Sequence, residues 1–208
     1  AMDAAHTRMA TTCGERIVQM VWDDLKPRDI LTRGAFMNAA AVQMALGGST
    51  NAAVHIIALA RRAGVDLTLD HLDAIGREVP VLANLFPSGD RLMEDFHYAG
   101  GLPALMSRIR AHLFLDQRNV NGQTLEHNLE GVQVLDDAVI RPLNNPVSAN
   151  GALAVLRGNL APDGAVMKAS AASPKFFQHR GRAIVFDDPA AMNAACADAN
   201  LDCDENSV

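Results

Sequence analysis

The sequence predicts an α/β protein, with a mainly helical first part and a strand-rich second part divided near Asn150. Three observations carry this reading. Apolar residues recur at helical spacing in segments spread over residues 15–113, the stretch 120–151 is rich in Asn, Gly and Pro, and three short apolar runs separated by turn residues follow it. The boundary is expected within residues 144–150, giving domains of 1–147 and 148–208.

Each element has its own local signal. Over residues 15–25, Ile17, Val18, Val21, Trp22 and Leu25 keep helical period, and the pattern stops before Pro27. Thr32 is placed to cap a second helix carrying Phe36, Ala40, Met44 and Leu46, which Gly47 and Gly48 terminate. Ser49 or Thr50 caps a third, in which Val54 and Ile57 precede Arg61 and Arg62, cations that complement the helix dipole before Gly64. Thr68, with an acid closing its cap, opens a fourth that ends at Pro80. Residues 81–86 are a short apolar run consistent with a strand, and PSGDRLMEDFHYAGG has loop composition. Leu102, Leu105, Met106, Ile109 and Leu113 then return to helical period. In the second part GALAVLRGNLA, GAVMKASA and RAIVFD read as strands, with Pro162, Asp163 and Gly164 as a turn, and Asp188 with Pro189 opens a last helix of small residues.

Composition narrows the classes of function. Hydrophobic residues make up 49% of the 208 and aromatics only 4%, so Ala, Leu, Val and Met must fill the core by close helix packing. A net charge of -6 argues against general attraction to nucleic acid or anionic lipid. The longest apolar run, residues 52–60, is interrupted by His55 and is far short of the ~20 residues needed to span a membrane. Cys13, Cys196 and Cys203 are odd in number and form no close pair, which suits a reducing cytoplasm and no compact metal motif. The absence of Met at position 1 and the abrupt ADANLDCDENSV ending suggest a piece of a longer protein.

Four features could carry chemistry, each with a plainer alternative. The bend GGSTN runs straight into a helix, whose unpaired first-turn amides can hold a carboxylate or phosphate; otherwise it is simply a capped core helix. MEDFH sets two carboxylates beside a histidine, suited to a metal or to proton transfer, or else acids stabilising the helix after Gly101. His55 reads as a hydrogen-bonded core histidine rather than a ligand. Lys168, one of three lysines, could face a substrate carboxylate from its strand or extend to the surface.

Taken in order, GGSTNAAVHIIALARRAGVDL, REVPVLANLFPSG, LMEDFHYAGGLPALM, VIRPLNNPVSANGALAVLRGNLAPDGAVMK and HRGRAIVFDD resemble consecutive blocks of the dihydroxy-acid and sugar-acid dehydratase family, IlvD/Edd. The resemblance spans nearly the whole chain. It implies a hydro-lyase that converts a 2,3-dihydroxy acid to a 2-keto acid with an iron–sulfur cluster and Mg²⁺. It further implies that the first part belongs to the later portion of an α/β domain and the second opens a β-rich C-terminal domain.

The family's cluster cysteines and the Asp and Lys of its metal site lie upstream of the aligned region. Its remaining metal glutamate and its catalytic serine, in a DGRxSG-like segment, lie downstream. The resemblance therefore assigns no catalytic or metal residue here, and Cys13, Cys196 and Cys203 do not match ligand positions. The expectation is a chain inactive by itself that binds neither cluster nor Mg²⁺, with Ser49, Thr50 and Asn51 facing the substrate in the complete protein. HRGRAIVF and ASAAS are closer to the aldonate branch, favouring a sugar acid over a branched dihydroxy acid. Family likeness also implies a cytoplasmic homodimer or homotetramer with no nucleic-acid or membrane partner; the remaining alternative is a non-catalytic interaction or oligomerisation module.

Overall fold

The computed structural model describes residues 4–208. They form two compact units, divided between Ala171 and Ala172. The first begins with α1 (Ala4–Trp22), which starts well before the residue at which its apolar period becomes legible. Among its residues only Met20 is buried, while Ile17, Val18 and Val21 are exposed and Trp22 is 78% exposed. After the single turn α2 (Pro27–Ile30) come the two helices that matter most for the site, α3 (Arg33–Leu46) and α4 (Thr50–Arg62).

Thr32 caps α3 as expected, its hydroxyl accepting from the Ala35 amide at 3.1 Å. Helix α3 runs through the core because its inward face is made of small or pliable side chains. Phe36, Ala40, Ala41, Met44 and Ala45 are all buried. Asn38 is buried as well, and both ends of its amide are used: Nδ2 donates to Phe114 O at 2.9 Å and Oδ1 accepts from Phe114 N at 2.7 Å. That leaves no polar debt at the crossing.

Next is α5 (Leu69–Glu78), capped by Thr68. The reciprocal partner in that cap is His71 rather than an acid, with Nδ1 accepting from Thr68 N at 3.1 Å. An imidazole nitrogen at the third helical position reaches the same amide that a carboxylate would.

Residues 79–85 then cross the core in extended form without joining a named strand. Leu82 N and Ala83 N both donate to Ala45 O, at 2.9 and 3.1 Å, and Asn84 N donates to Val139 O at 2.9 Å. On the other side Arg141 N donates to Leu82 O and Val147 N to Val81 O, both at 2.8 Å. The expected strand is thus an extended segment with isolated bridges Val81↔Ser148 and Ala83↔Ile140, since its neighbours are a helix end and irregular chain. Val139 and Ile140, inside the stretch read as a connector, are core residues. Met44, Leu72, Leu82, Leu105, Ile109 and Ile140 are fully buried. Each such side chain contributes about 1.5–3 kcal/mol.

The expected loop after Phe86 contains α6 (Met93–Tyr98), started by Asp95, whose Oδ2 accepts from Leu92 N at 2.8 Å. Then come α7 (Gly101–Arg108) and the single turn α8 (Leu125–Asn128). The unit closes on an antiparallel hairpin of β1 (Leu153–Gly158) and β2 (Ala161–Lys168). Pro162, Asp163 and Gly164 lie inside β2 rather than making its turn. The ladder pairs Gly158↔Ala161 and Leu156↔Ala165, so these three residues oppose Arg157 alone in a bulge. A lone hairpin is marginal in water. This one packs on α5 through β1 and on α4 through β2. At its root Gly151 N donates to Gly76 O at 2.7 Å, and a Cβ on Gly151 would lie 2.9 Å from Met44 Cβ.

In the second unit RAIVFD makes no strand. Ile184 N donates to Val208 O at 2.9 Å and Val208 N to Arg182 O at 3.0 Å, a short pairing with the chain end. Its helix α9 (Pro189–Cys196) does form where expected, with Asp188 Oδ1 accepting from Ala191 N at 2.8 Å.

Candidate functional site

The site grows out of the elbow between α3 and α4. Gly47 sits at φ +77°, ψ +38°, a left-handed conformation that closes α3 and that favours glycine. Gly47 N then donates to Met44 O at 3.4 Å and Gly48 N to Gln43 O at 2.9 Å, the paired bonds of a Schellman end. Ser49 is the cap of α4, its Oγ accepting from Asn51 N at 3.1 Å, while Ala52 N donates to Ser49 O at 3.1 Å. Ser49, Thr50 and Asn51 all stand exposed at the positive end of the α4 dipole.

Beneath the elbow lies Gln43, 7% exposed, whose Nε2 donates to Ser49 O at 3.0 Å. Its Oε1 is buried without a hydrogen-bond partner. Gly48 has no room for a side chain, because a Cβ there would lie 2.6 Å from Gln43 Cγ. The bend and the glutamine beneath it are therefore one packed unit.

Lys168 arrives from the last position of β2. Its Nζ donates to Gly47 O at 2.8 Å, so the half-buried ammonium sits on the terminal carbonyl of α3 rather than extending to the surface. The contact spans 121 positions of sequence, and no local pattern announces it. Ser88 Oγ lies 2.8 Å from Ser170 Oγ and 3.9 Å from where a Cβ on Gly47 would stand. Sequence reasoning did not single out Gln43, Ser88 or Ser170. The bend thus brings together the Ser49 cap of α4, the Lys168 ammonium on Gly47 O and the buried Gln43 amide, while Ser49 already takes the Asn51 and Ala52 amides.

The other candidates do not join it. In MEDFH, Asp95 is spent capping α6, and Glu94 and His97 are exposed with no partner shown to them at the elbow. His55 is exposed on α4 rather than held in a core, because the helix turns that face outward. A cleft of about 520 Å³ near the end of α4 is lined by Ile57, Arg61, Leu67, Asp70 and Arg157, and contains none of the four features read as candidates for chemistry. Arg157 in it is ion-paired with Asp70.

Among the described residues no donor set is grouped to hold an iron–sulfur cluster or a bound Mg²⁺. The three thiols are each exposed, and among the described residues no three His, Cys, Asp or Glu side chains are grouped to hold a metal. No helix among those residues is long and apolar enough to cross a membrane.

Comparison with known proteins supplies the family. The 6-deoxy-6-sulfo-D-gluconate dehydratase of Pseudomonas putida is 51% identical over 211 residues, covering all of this chain and 36% of that protein. The L-arabinonate dehydratase of Rhizobium leguminosarum is 48% identical over 209 residues, again covering the whole chain and 36% of the relative. A dihydroxy-acid dehydratase of Clostridium novyi is 48% identical over 182 residues, 86% of this chain and 33% of the relative. The chain thus spans about a third of the length of these curated relatives. Residues 1–128 match the N-terminal domain of the dihydroxy-acid/6-phosphogluconate dehydratases and residues 138–208 match their C-terminal domain, so the chain belongs to that family.

Proposed function

We propose that this chain is the middle of a cytoplasmic hydro-lyase that removes water from a 2,3-dihydroxy acid, with a sugar acid as substrate and a 2-keto-3-deoxy acid as product. The observation that supports the sugar acid is the extent of likeness: two sugar-acid dehydratases align over the entire chain, and the dihydroxy-acid dehydratase of Clostridium novyi over 86% of it. In this reading the cluster and Mg²⁺ are held by residues outside the 208, the isolated chain is inactive, and the complete protein is a homodimer or homotetramer. Ser49, Thr50 and Asn51 face the substrate, offering helix-terminal amides and hydroxyls to an acid.

The test is kcat/KM of the full-length protein for C5 and C6 aldonates against 2,3-dihydroxyisovalerate, read as 2-keto acid formation. A site built for the extra hydroxyls leaves polar groups unpaired around a branched alkyl substrate, which discriminates strongly. Faster turnover of the branched acid would replace the sugar-acid reading with branched-chain dihydroxy-acid dehydration, for which the Clostridium novyi relative, also 48% identical, is the precedent. Thr50→Val in the same protein is expected to weaken turnover while the fold survives, with thermal melting measured alongside.

A further inference from the structure

The sequence contains two Asn-Gly pairs, Asn121–Gly122 and Asn150–Gly151, and the fold leaves one reactive and locks the other. We propose that Asn121 is a site of spontaneous deamidation through a cyclic imide formed with Gly122, that Asn150 is shielded from the same reaction, and that conversion at position 121 loosens the hold on α1. The proposal is independent of which acid the protein dehydrates.

Glycine makes such a pair reactive because, with no Cβ, its nitrogen lies open to the preceding side chain. Gly122 N attacks Asn121 Cγ. The N–Cγ bond forms, the Cγ–Nδ2 bond breaks, and the amide nitrogen leaves as ammonia, carrying the Gly122 amide proton. Water then opens the imide at either of its carbonyls. The product has a carboxylate at position 121 and a main chain that is either normal or lengthened by one methylene.

Residues 119–122 form the tip of a short hairpin closed by the bridge Arg118↔Thr124. Gly122 N donates to Asn119 O at 2.9 Å, and residues 120–124 are all exposed. Asn121 Oδ1 accepts from Gln123 N at 3.0 Å. The ring closed by that bond contains both Asn121 Cγ and Gly122 N, so the electrophile is folded over the peptide that attacks it. Only the bond to Asn119 must open to free the nucleophile, and a surface turn opens locally at small cost.

Asn150 is exposed as well, so exposure of the asparagine does not separate the two pairs. The glycines do. Gly151 is buried, and its N donates to the O of buried Gly76 at 2.7 Å. A Cβ on Gly151 would lie 2.9 Å from Met44 Cβ and 3.0 Å from Gly76 Cα. Freeing that nitrogen means lifting the root of the β1–β2 hairpin out of the core, which is the costly kind of opening.

The turn also fastens two helices. Asn121 Nδ2 donates to Asn128 Oδ1 of α8 at 2.7 Å, and Arg16 Nε of α1 donates to Val120 O at 2.5 Å. Deamidation removes the first donor. The added methylene shifts Val120 against Gly122, and with it the carbonyl that Arg16 holds. Helix α1 buries Met20 alone, so it has little else to keep it in place.

The test incubates the full-length protein at neutral pH in water enriched in heavy oxygen, folded and in urea, and maps the peptides by mass spectrometry. In the folded protein Asn121 is expected to exchange NH for labelled O more than about tenfold faster than Asn150, because a turn opens more readily than a core. In urea the two should convert at comparable rates. Asn121 intact in the folded protein while it converts in urea overturns the proposal. So does the same ratio of rates in both conditions, since sequence alone would then set it. Hydrogen exchange of the converted protein is expected to show lower protection in α1 around Arg16 with α3 unchanged, and equal protection of α1 before and after conversion overturns the loosening.

Discussion

The two compact units read alike at the level of caps and differ completely at the level of burial. Thr32 starts α3 and Asp188 starts α9 by the same device, a side-chain oxygen accepting from the amide three residues on, at 3.1 and 2.8 Å. Yet α3 buries Phe36, Ala40, Met44 and Ala45, whereas no residue from 172 to 208 is buried. A cap decides where a helix begins, and only a partner surface decides what it is worth. Helix α1 makes the same point inside the first unit, where nineteen helical residues bury Met20 alone. By this contrast the first unit should unfold cooperatively and the second should open at little cost.

The strongest way to break the comparison is to remove core volume. Leu82→Ala is expected to cost about 2–5 kcal/mol, because the fully buried side chain leaves a cavity between α3 and residues 139–141. Val185→Ala in the second unit, where the side chain is 85% exposed, should stay within about 0.5 kcal/mol. Urea unfolding followed by circular dichroism checks both. Comparable losses at the two positions would mean that residues 172–208 have a core of their own.

Overpacking comes next. Gly151→Ala places a Cβ 2.9 Å from Met44 Cβ and 3.0 Å from Gly76 Cα, and is expected to cost about 1–3 kcal/mol. Amide exchange should then show the β1–β2 hairpin losing protection before α3 does. Equal loss of protection in both would mean that the hairpin and the helical core open as one unit.

The cap comparison is finer. Thr32→Ala should lower global stability by about 1 kcal/mol, whereas Asp188→Ala should speed exchange of the α9 amides without moving the main thermal transition. A shift of that transition by Asp188→Ala would show that α9 folds with the core.

The smallest effect is on pH. Hydrogen bonding from Arg182, and then its charge, hold the Asp202 carboxyl below its usual 3.8. Asp204 is lowered too, chiefly by the Ser207 hydroxyl. A folded value below the unfolded one means that stabilisation is present above pH 3.8 and is lost as pH falls through the lowered value. Protection of the Ile184 and Val208 amides, corrected for intrinsic exchange, should therefore fall only in acid. Salt should reduce the Asp202 contribution, since both partners are exposed. Loss of protection near neutral pH would assign the effect to another group.

Much of this protein follows from the sequence by itself. The caps Thr32, Ser49, Thr68 and Asp188, and the stop at Gly47, are settled within four residues of chain, so a linear reading can find them. The dehydratase blocks are equally local. Tertiary structure alone decided the rest. It left residues 81–85 extended but outside a sheet, because their bonding partners come from α3, from Arg91 and from residues 139–148. It absorbed Pro162, Asp163 and Gly164 into a bulge set by the register with β1, and drew Val139 and Ile140 into the core. It also turned the apolar face of α1 outward. The exposed half of the candidate site, Ser49 to Asn51, was legible as a capped helix start; Gln43, Ser88 and Ser170 were not, and neither was the place of Lys168. Those contacts join positions up to 121 apart, and a residue's chemistry says nothing of which distant carbonyl it will meet until packing brings the two together.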